Sequence, residues 1–570
     1  MTRRTRPAPP AAPVTRRRAL AVLGWSAAAG ALAGCASLPR SGGVTRSDAV
    51  TKDDSGLVQT AAGPADGATV EQIVSGFLRA CEAGFSDDFA TARSFLLGPV
   101  RTSWEPLGVV RVYQGSKARV LEVADDGSVQ VSTEQTASLG STGVLTQVDG
   151  TTLDAAYSLA TNAAGEWRIV DLPGGILLPS SALADNFIAR PVYFLTRDRR
   201  RLVPDLRFLP RRDGEKGLVT ALLGGPASWL APAVTTAVPK GLALVDDGVV
   251  TGGGTAQVSL SEEAERLTTA QRALLVAQLS ATLTQVDGID SVTASTGSDD
   301  LGEAADLPEP GASPGALVGM SGGNVVRGAS STRTTLVTSD VLGTKEARYP
   351  ALGVDGAVYV LSGASLLRVG AGERAATAVL SADTDDPSKI VMLPPVVDRH
   401  GWVWTASAGA LTVVNAQGLR AEVSADWLTD GIEAIDLSAE SERLLVRTSG
   451  ATITLAAVIR DEDGAPTGLG EAVRLLPGSG ARAGLAWFDT TDLCLLAEPS
   501  DGDDAPVVRR VQAPGTLSAS PGAQGAASIV ANRTDGTVLL VDDSHQVWQR
   551  VGATWRVVST DVTDVSYPLV

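Results

Sequence analysis

The sequence predicts a multidomain protein: two α+β domains followed by an all-β propeller of about six blades. Three observations lead there. At 570 residues the chain exceeds what one hydrophobic core organises. Between residues 69 and 298 apolar residues recur first at helical spacing and then at alternate positions, and this happens twice. Beyond residue 316 a strand, a polar turn and a second strand return around Gly356, Gly401, Glu442, Asp492 and Gly536, at spacings of 45, 41, 50 and 44 residues. That is the period of a four-stranded propeller blade.

Taken in order, residues 1–34 form an export signal. Six arginines (Arg3, Arg4, Arg6, Arg16, Arg17 and Arg18) precede Ala19–Ala33, which is apolar or small except at Ser26. The run is shorter than the ~20 residues that span a bilayer. It ends in Leu32-Ala33-Gly34-Cys35, which resembles a bacterial lipobox. The resemblance implies a diacylglycerol on the Cys35 sulfur and a fatty acyl chain such as palmitate on the freed amine. Two or three chains at ~0.8 kcal/mol per buried CH₂ anchor a protein stably. The chain is then expected on the extracytoplasmic face of the cell membrane, held by lipid at Cys35. Thr15-Arg16-Arg17-Arg18-Ala19-Leu20 also resembles a twin-arginine signal, so the Sec and twin-arginine routes both stay open.

Residues 35–68 hold no period of 2 or 3.6 and read as a flexible tether. A first α+β domain follows over 69–178. Thr69 caps a helix carrying Val70, Ile73, Phe77, Leu78 and Cys81, and Phe85, Phe89, Ala92 and Leu96 suggest a second helix. From Val109 the period is two, with a late strand at Trp167–Leu172. A second α+β domain spans 188–298, with strands at Arg190–Leu195, Thr236–Pro239 and Ala256–Ser261 and a helix over Lys216–Leu223. Thr268 caps a long amphipathic helix from Thr269 to Val286. Residues 299–315 form a linker, and 316–570 the propeller. Ser566-Tyr567-Pro568 echoes Arg348-Tyr349-Pro350, so the last residues complete a blade with strands from 316–338 and close the ring. Stacked hairpins of a sandwich are the alternative.

Charge and chemistry narrow the function. The net charge is −17, and six of the 47 basic residues precede Cys35, so the rest is more acidic still. No nucleic acid is expected as a partner, because that binding needs phosphates neutralised. His400 and His545 are the only histidines and fall near turn residues, so no metal site, cofactor or catalytic residue is assigned. Cys81 and Cys494 lie in different domains and no disulfide is expected. Asp355, Asp398 and Asp535 recur at turns, the structural place for aspartate. Arg197, Arg199, Arg200, Arg201, Arg207, Arg211 and Arg212, with Lys216 beside them, form a basic cluster. It is either a solvated face or a patch for an anionic lipid, polymer or acidic partner.

The helix-then-sheet order of 69–178 resembles the cone-shaped nuclear-transport-factor-2-like fold. Tyr193-Phe194-Leu195, Leu222–Pro226, Ala237–Gly241, Val258–Ser261 and Thr282–Gln285 resemble the GerMN domain of secreted bacterial proteins. A lipobox, these two domains and a propeller, in this order, resemble the LpqB family of actinobacterial lipoproteins. That resemblance implies a non-enzymatic, membrane-anchored protein that modulates a two-component system. Its expected partner is the extracellular sensor region of an MtrB-type membrane histidine kinase, with effects on cell-wall homeostasis and division. A passive cell-wall polymer binder and a propeller glycoside hydrolase are the alternatives.

Overall fold

A computed structural model describes residues 61–115, 120–310, 315–328, 333–450, 452–476, 481–497, 506–512 and 516–569. The export signal, the lipobox Leu32–Cys35 and most of the tether lie outside the described residues. The described residues belong to one compact unit. No described helix is long and apolar enough to cross a membrane.

The first domain begins with helix α1 (Val70–Ala83), and a reciprocal capping box between Thr69 and Gln72 satisfies two of its orphan amides. Ile73, Val74, Phe77, Leu78 and Cys81 bury one face. Instead of one second helix there is a 3₁₀ turn at Gly84–Ser86 and a short helix at Ala90–Ser94. Asp88 and Phe89 between them take left-handed φ values of 53° and 59°, which no helix continues through. The turn drives Phe89 into the core, edge-on to Phe85 and Trp104. Strands β1 (Val109–Tyr113), β2 (Val120–Val123), β3 (Val129–Gly140), β4 (Leu145–Thr161), β5 (Trp167–Asp171) and β6 (Ile176–Pro179) form a sheet ordered β5-β4-β3-β1-β6, with β2 beside β3. Helix α1 touches both edge strands, β5 and β6, so the sheet curves around it as a cone. Ala61 and Ala68, placed in the tether by composition, pack against this core.

The middle domain is built on a hairpin of β7 (Phe187–Thr196) and β8 (Leu202–Pro210), with β9 (Val234–Thr235) on β7. The strand expected over Thr236–Pro239 does not form. The Gln278 side-chain oxygen takes the Ala237 amide and the Thr236 hydroxyl instead. A second sheet runs β10 (Leu244–Gly252), β11 (Thr255–Leu260), β12 (Ser291–Thr296) and β13 (Asp299–Asp300). Helices α2 (Gly214–Leu223) and α3 (Thr269–Leu283) pack on each other and on β7, and Thr268 caps α3 with a second capping box.

The propeller has six sheets around one axis. Their innermost strands are Thr563–Ser566, Arg348–Leu352, Val396–Val397, Ile432–Leu437, Ala481–Trp487 and Ala526–Asn532. The first blade is closed by strands from both ends of the domain. Thr563–Ser566 pairs antiparallel with Val318–Ser321, which pairs in turn with Asn324–Arg327, and Thr334–Val337 completes the sheet beyond that strand. The closing strand thus ends at Ser566, and Tyr567–Leu569 run on past it. The turn after each inner strand explains the repeat and its lapses. Gly356 and Gly401 have φ values of 76° and 84°, and Ser441 fills the same place in the fourth blade at 66°. A serine there hides the blade from a search for aspartate-glycine turns.

Candidate functional site

Two places in this architecture gather polar side chains. The first is the contact between the hairpin and its neighbours, where the predicted basic patch lies. The second is the axis of the propeller.

The seven arginines do not share a face. Nine residue pairs separate the tip of the β7–β8 hairpin from its base, about 30 Å of strand. Arg207 is not on the surface. It is 1% exposed, paired at 2.6 Å with the equally buried Asp205, and donates to Thr142 O (2.8 Å) and Gly225 O (2.9 Å). It thereby joins the first domain's β3–β4 turn to the loop after α2. Arg211 donates to Asp185 O, and Arg212 pairs with Asp88 at 3.0 Å and lies over the Phe89 ring. At the other end Arg197 donates to Arg460 O in the propeller, and Arg201 is half-buried near Arg399 and Glu440. Arg199 and Arg200 alone are simple exposed turn residues. A run of basic residues in sequence is therefore split between two domain contacts, with a small solvated remainder.

The hairpin tip meets an ion network on the propeller. Asp198 pairs with Arg399 at 2.7 Å, and Arg399 reaches Glu442 at 2.8 Å and Glu440 O. Arg460 pairs with the fully buried Asp398 at 2.8 Å, and Arg443 pairs with Glu440 while lying 4.5 Å from the Trp487 ring centroid. His400 sits 3.7 Å from Glu442, so it is part of this contact rather than a free turn. Burial alone would raise the Asp198 carboxyl, yet Arg399 and Thr196 hold it down to about 2. Apolar packing crosses the same boundary. Ala457 of the propeller joins the middle domain's core, and Trp229 of the middle domain packs against the Leu445–Leu475 cluster.

The middle domain and propeller should therefore unfold in one calorimetric transition. Combining Trp229→Ala with Arg399→Ala removes a large shared side chain and leaves Glu442 short of a partner, and should split that transition in two. Low pH should do the same in the unaltered protein. A depressed carboxyl stabilises the contact fully above its ordinary value of 3.8, and the contribution is lost as pH falls toward about 2. The exposed part of this pair is worth only about 1 kcal/mol. A single transition in the double variant would refute the shared core.

The propeller axis holds a cavity of about 510 Å³ lined by all six inner strands. Its walls are largely small or apolar, including Ala351, Pro394, Ala434, Gly484, Ala527 and Val530. Glu433, Asp543 and His545 are exposed at one mouth. The other end is floored by Asp436, Arg533 and Tyr567–Leu569. Arg533 and Asp436 are both buried and bonded to each other, and Arg533 also donates to Leu437 O and Tyr567 O. Burial pushes the Asp436 carboxyl up, opposed by Arg533 and the amides of Trp487 and Leu437. Because the turns after the inner strands meet the middle domain, the floor lies on that domain's side and the open mouth faces away. Near the mouth Arg348 grips both oxygens of Asp564, tying the second blade to the closing strand.

The turn aspartates are occupied by their own turns. Asp355 accepts the Ala357 amide and Asp535 the Thr537 amide. Asp398 accepts the amides of His400 and Trp402 and the indole N–H of Trp404. Cys81 and Cys494 are buried in separate cores with no disulfide between them, and burial pushes the Cys494 thiol far up. Among the described residues no group of histidine, cysteine and carboxylate side chains could hold a metal ion. Cys35 and the rest of the lipobox lie outside the described residues.

Comparison with known proteins places these observations in a lineage. A family model for the LpqB lipoprotein N-terminal domain matches residues 63–184, and one for the LpqB lipoprotein beta-propeller domain matches 323–570. Between them a model described as sporulation and spore germination (Germane) matches 191–294. The lipoprotein LpqB of Cutibacterium acnes is 30% identical over 50% of this chain and 47% of its own length, so the match spans about half of that relative. Those of Bifidobacterium longum and Streptomyces avermitilis are 26% and 27% identical. The first match covers 92% of this chain and 94% of the relative, the second 97% and 99%. Among solved structures, a chain of a nidogen/laminin complex overlaps 44% of this chain and 97% of its own length at 13% identity, with a TM-score of 0.32. With both LpqB models matching in order, and relatives aligned along nearly their whole length, the chain belongs to the LpqB lipoprotein family.

Proposed function

We propose that this protein is a lipid-anchored, extracytoplasmic regulator that binds the extracellular sensor region of an MtrB-type membrane histidine kinase. Through that kinase it affects cell-wall homeostasis and division. The observation that carries this reading is the stack of three domains, joined through shared cores, with an open propeller face directed away from the middle domain. Such a stack presents a surface rather than a reaction centre. The carboxylates that recur along the propeller, and that a hydrolase would use, support the same view because their own turns engage them. The lipoprotein relatives and Leu32–Cys35 support anchoring at Cys35.

Anchoring is part of the mechanism. A short tether raises the effective concentration of a membrane partner to the millimolar range, so modest intrinsic affinity suffices. A regulator also needs differential affinity for two states of its target, since equal affinity shifts no equilibrium. The expected result is that Cys35→Ala yields folded protein that leaves the membrane fraction and no longer restores kinase output genes in a deletion strain at native levels. Full rescue by the released form would overturn the tethered-regulator reading.

A further inference from the structure

We propose that the open mouth of the propeller's central channel receives an extended, basic segment of a partner polypeptide. The proposal rests on the reading that this protein acts by binding another protein, and it names the surface and the chemistry of what binds.

The first ground is the backbone. Each inner strand ends its sheet, so it is paired on one side only and turns its other edge to the axis. Six such edges line the cavity. An unpaired strand edge offers alternating N–H and C=O groups, and a ligand that satisfies both along its length is another extended polypeptide. Small side chains such as Ala434 and Ala527 keep those edges approachable.

The second ground is that the channel already accepts chain. Tyr567–Leu569 run past the closing strand into its floor, where Arg533 donates to Tyr567 O and Leu569 is 2% exposed against the core of the third and fourth blades. The lower part of the axis is filled by the protein's own polypeptide, and the upper part is the open remainder of the same conduit.

The third ground is charge. Among the described lining residues carboxylates outnumber guanidiniums, and both guanidiniums are engaged, Arg348 by Asp564 and Arg533 by Asp436. Asp543 and Glu433, the latter paired with Arg447 at 2.9 Å, remain exposed at the mouth. An acidic rim around a narrow, apolar-walled channel favours lysine or arginine on the incoming segment and disfavours phosphate-bearing ligands.

The test uses the full-length protein in detergent and a fluorescently labelled peptide of alternating lysine and valine, read by anisotropy. Its glutamate–valine counterpart is the comparison. Glu433→Lys with Asp543→Lys reverses the rim at two exposed positions. Asp299→Lys with Glu303→Lys changes net charge equally on the middle domain. The expected result is binding that weakens about tenfold in the rim variant, is unchanged in the control variant and falls with salt. The glutamate–valine peptide should gain affinity for the rim variant. Equal binding by all three proteins, or none by the unaltered one, would overturn the channel proposal while leaving the regulator reading to its own Cys35 test. Rim-dependent binding together with full rescue by the released protein would keep the channel and remove the tethered regulator.

Discussion

A chain ending at Val562 should lose the propeller as a cooperative unit. The deletion removes the strand Thr563–Ser566 that pairs with Val318–Ser321, and leaves the first blade without its inner strand. It exposes the apolar surface covered by Val565 and Leu569, which are 8% and 2% exposed. Burying a valine or leucine side chain is worth ~1.5–3 kcal/mol, so the two together approach ~5 kcal/mol before any backbone pairing is counted. That is comparable to the entire stability of an ordinary domain, ~5–15 kcal/mol. The Arg348–Asp564 clamp and the bond from Ser566 to Pro350 O disappear as well. Thermal unfolding and limited proteolysis read the effect. A chain ending at Val565, which keeps most of the strand but loses Leu569, should fall between the two. An unchanged midpoint for the Val562 chain would mean that the ring holds without its closing strand.

Arg207→Ala should cost ~3–5 kcal/mol, because it strands the Asp205 carboxylate at a site with no solvent. It also frees the carbonyls of Thr142 and Gly225, which Arg207 links across two domains. Arg199→Ala, at an exposed turn position in the same basic run, should stay within ~0.5 kcal/mol. Replacing both buried partners together, as Asp205→Leu with Arg207→Met, should recover part of the loss, since a buried ion pair is often matched by apolar groups of similar volume. Recovery stays partial because Asp205 also accepts the Ala227 amide. Denaturant unfolding of the four proteins distinguishes these cases. Similar losses for Arg207→Ala and Arg199→Ala would place Arg207 on the surface after all.

The contrast between these two arginines shows what the sequence discloses and what it hides. The propeller was legible because four of its blades place a residue in a left-handed conformation after the inner strand, and Gly356, Gly401 and Gly536 show it visibly. Closure was legible because Ser566-Tyr567-Pro568 at the end of the chain echoes Arg348-Tyr349-Pro350. The expected strand at Ser566–Pro568 was displaced to Thr563–Ser566, since Tyr567–Leu569 are drawn into the channel floor. The basic run was misread because charge along a sequence does not reveal that the two ends of one hairpin touch different domains. A signal was nevertheless present. In Leu202–Leu209 only Asp205 and Arg207 are charged, and two residues apart on a strand they share a face. An opposite-charge pair inside an apolar strand marks a buried bridge. The network of Asp198, Arg399, Glu442 and Arg460 carried no such local mark, because the last three converge only in the folded propeller and Asp198 joins them only when the middle domain docks.

The β7–β8 hairpin has a mechanical consequence. Its base, through Phe187, Leu206 and Phe208, belongs to the core of the first domain, its middle to the second, and its tip is bonded to the propeller. A pull applied between the first domain and the propeller runs along the strands rather than across them. Because both strands enter the first domain's core and are joined at the tip, that tension runs through two covalent backbones in parallel, and the contacts at the two ends give way before the nine-pair ladder does. The hairpin is a tie between the first domain and the propeller, and tension passes along it as displacement rather than as unravelling.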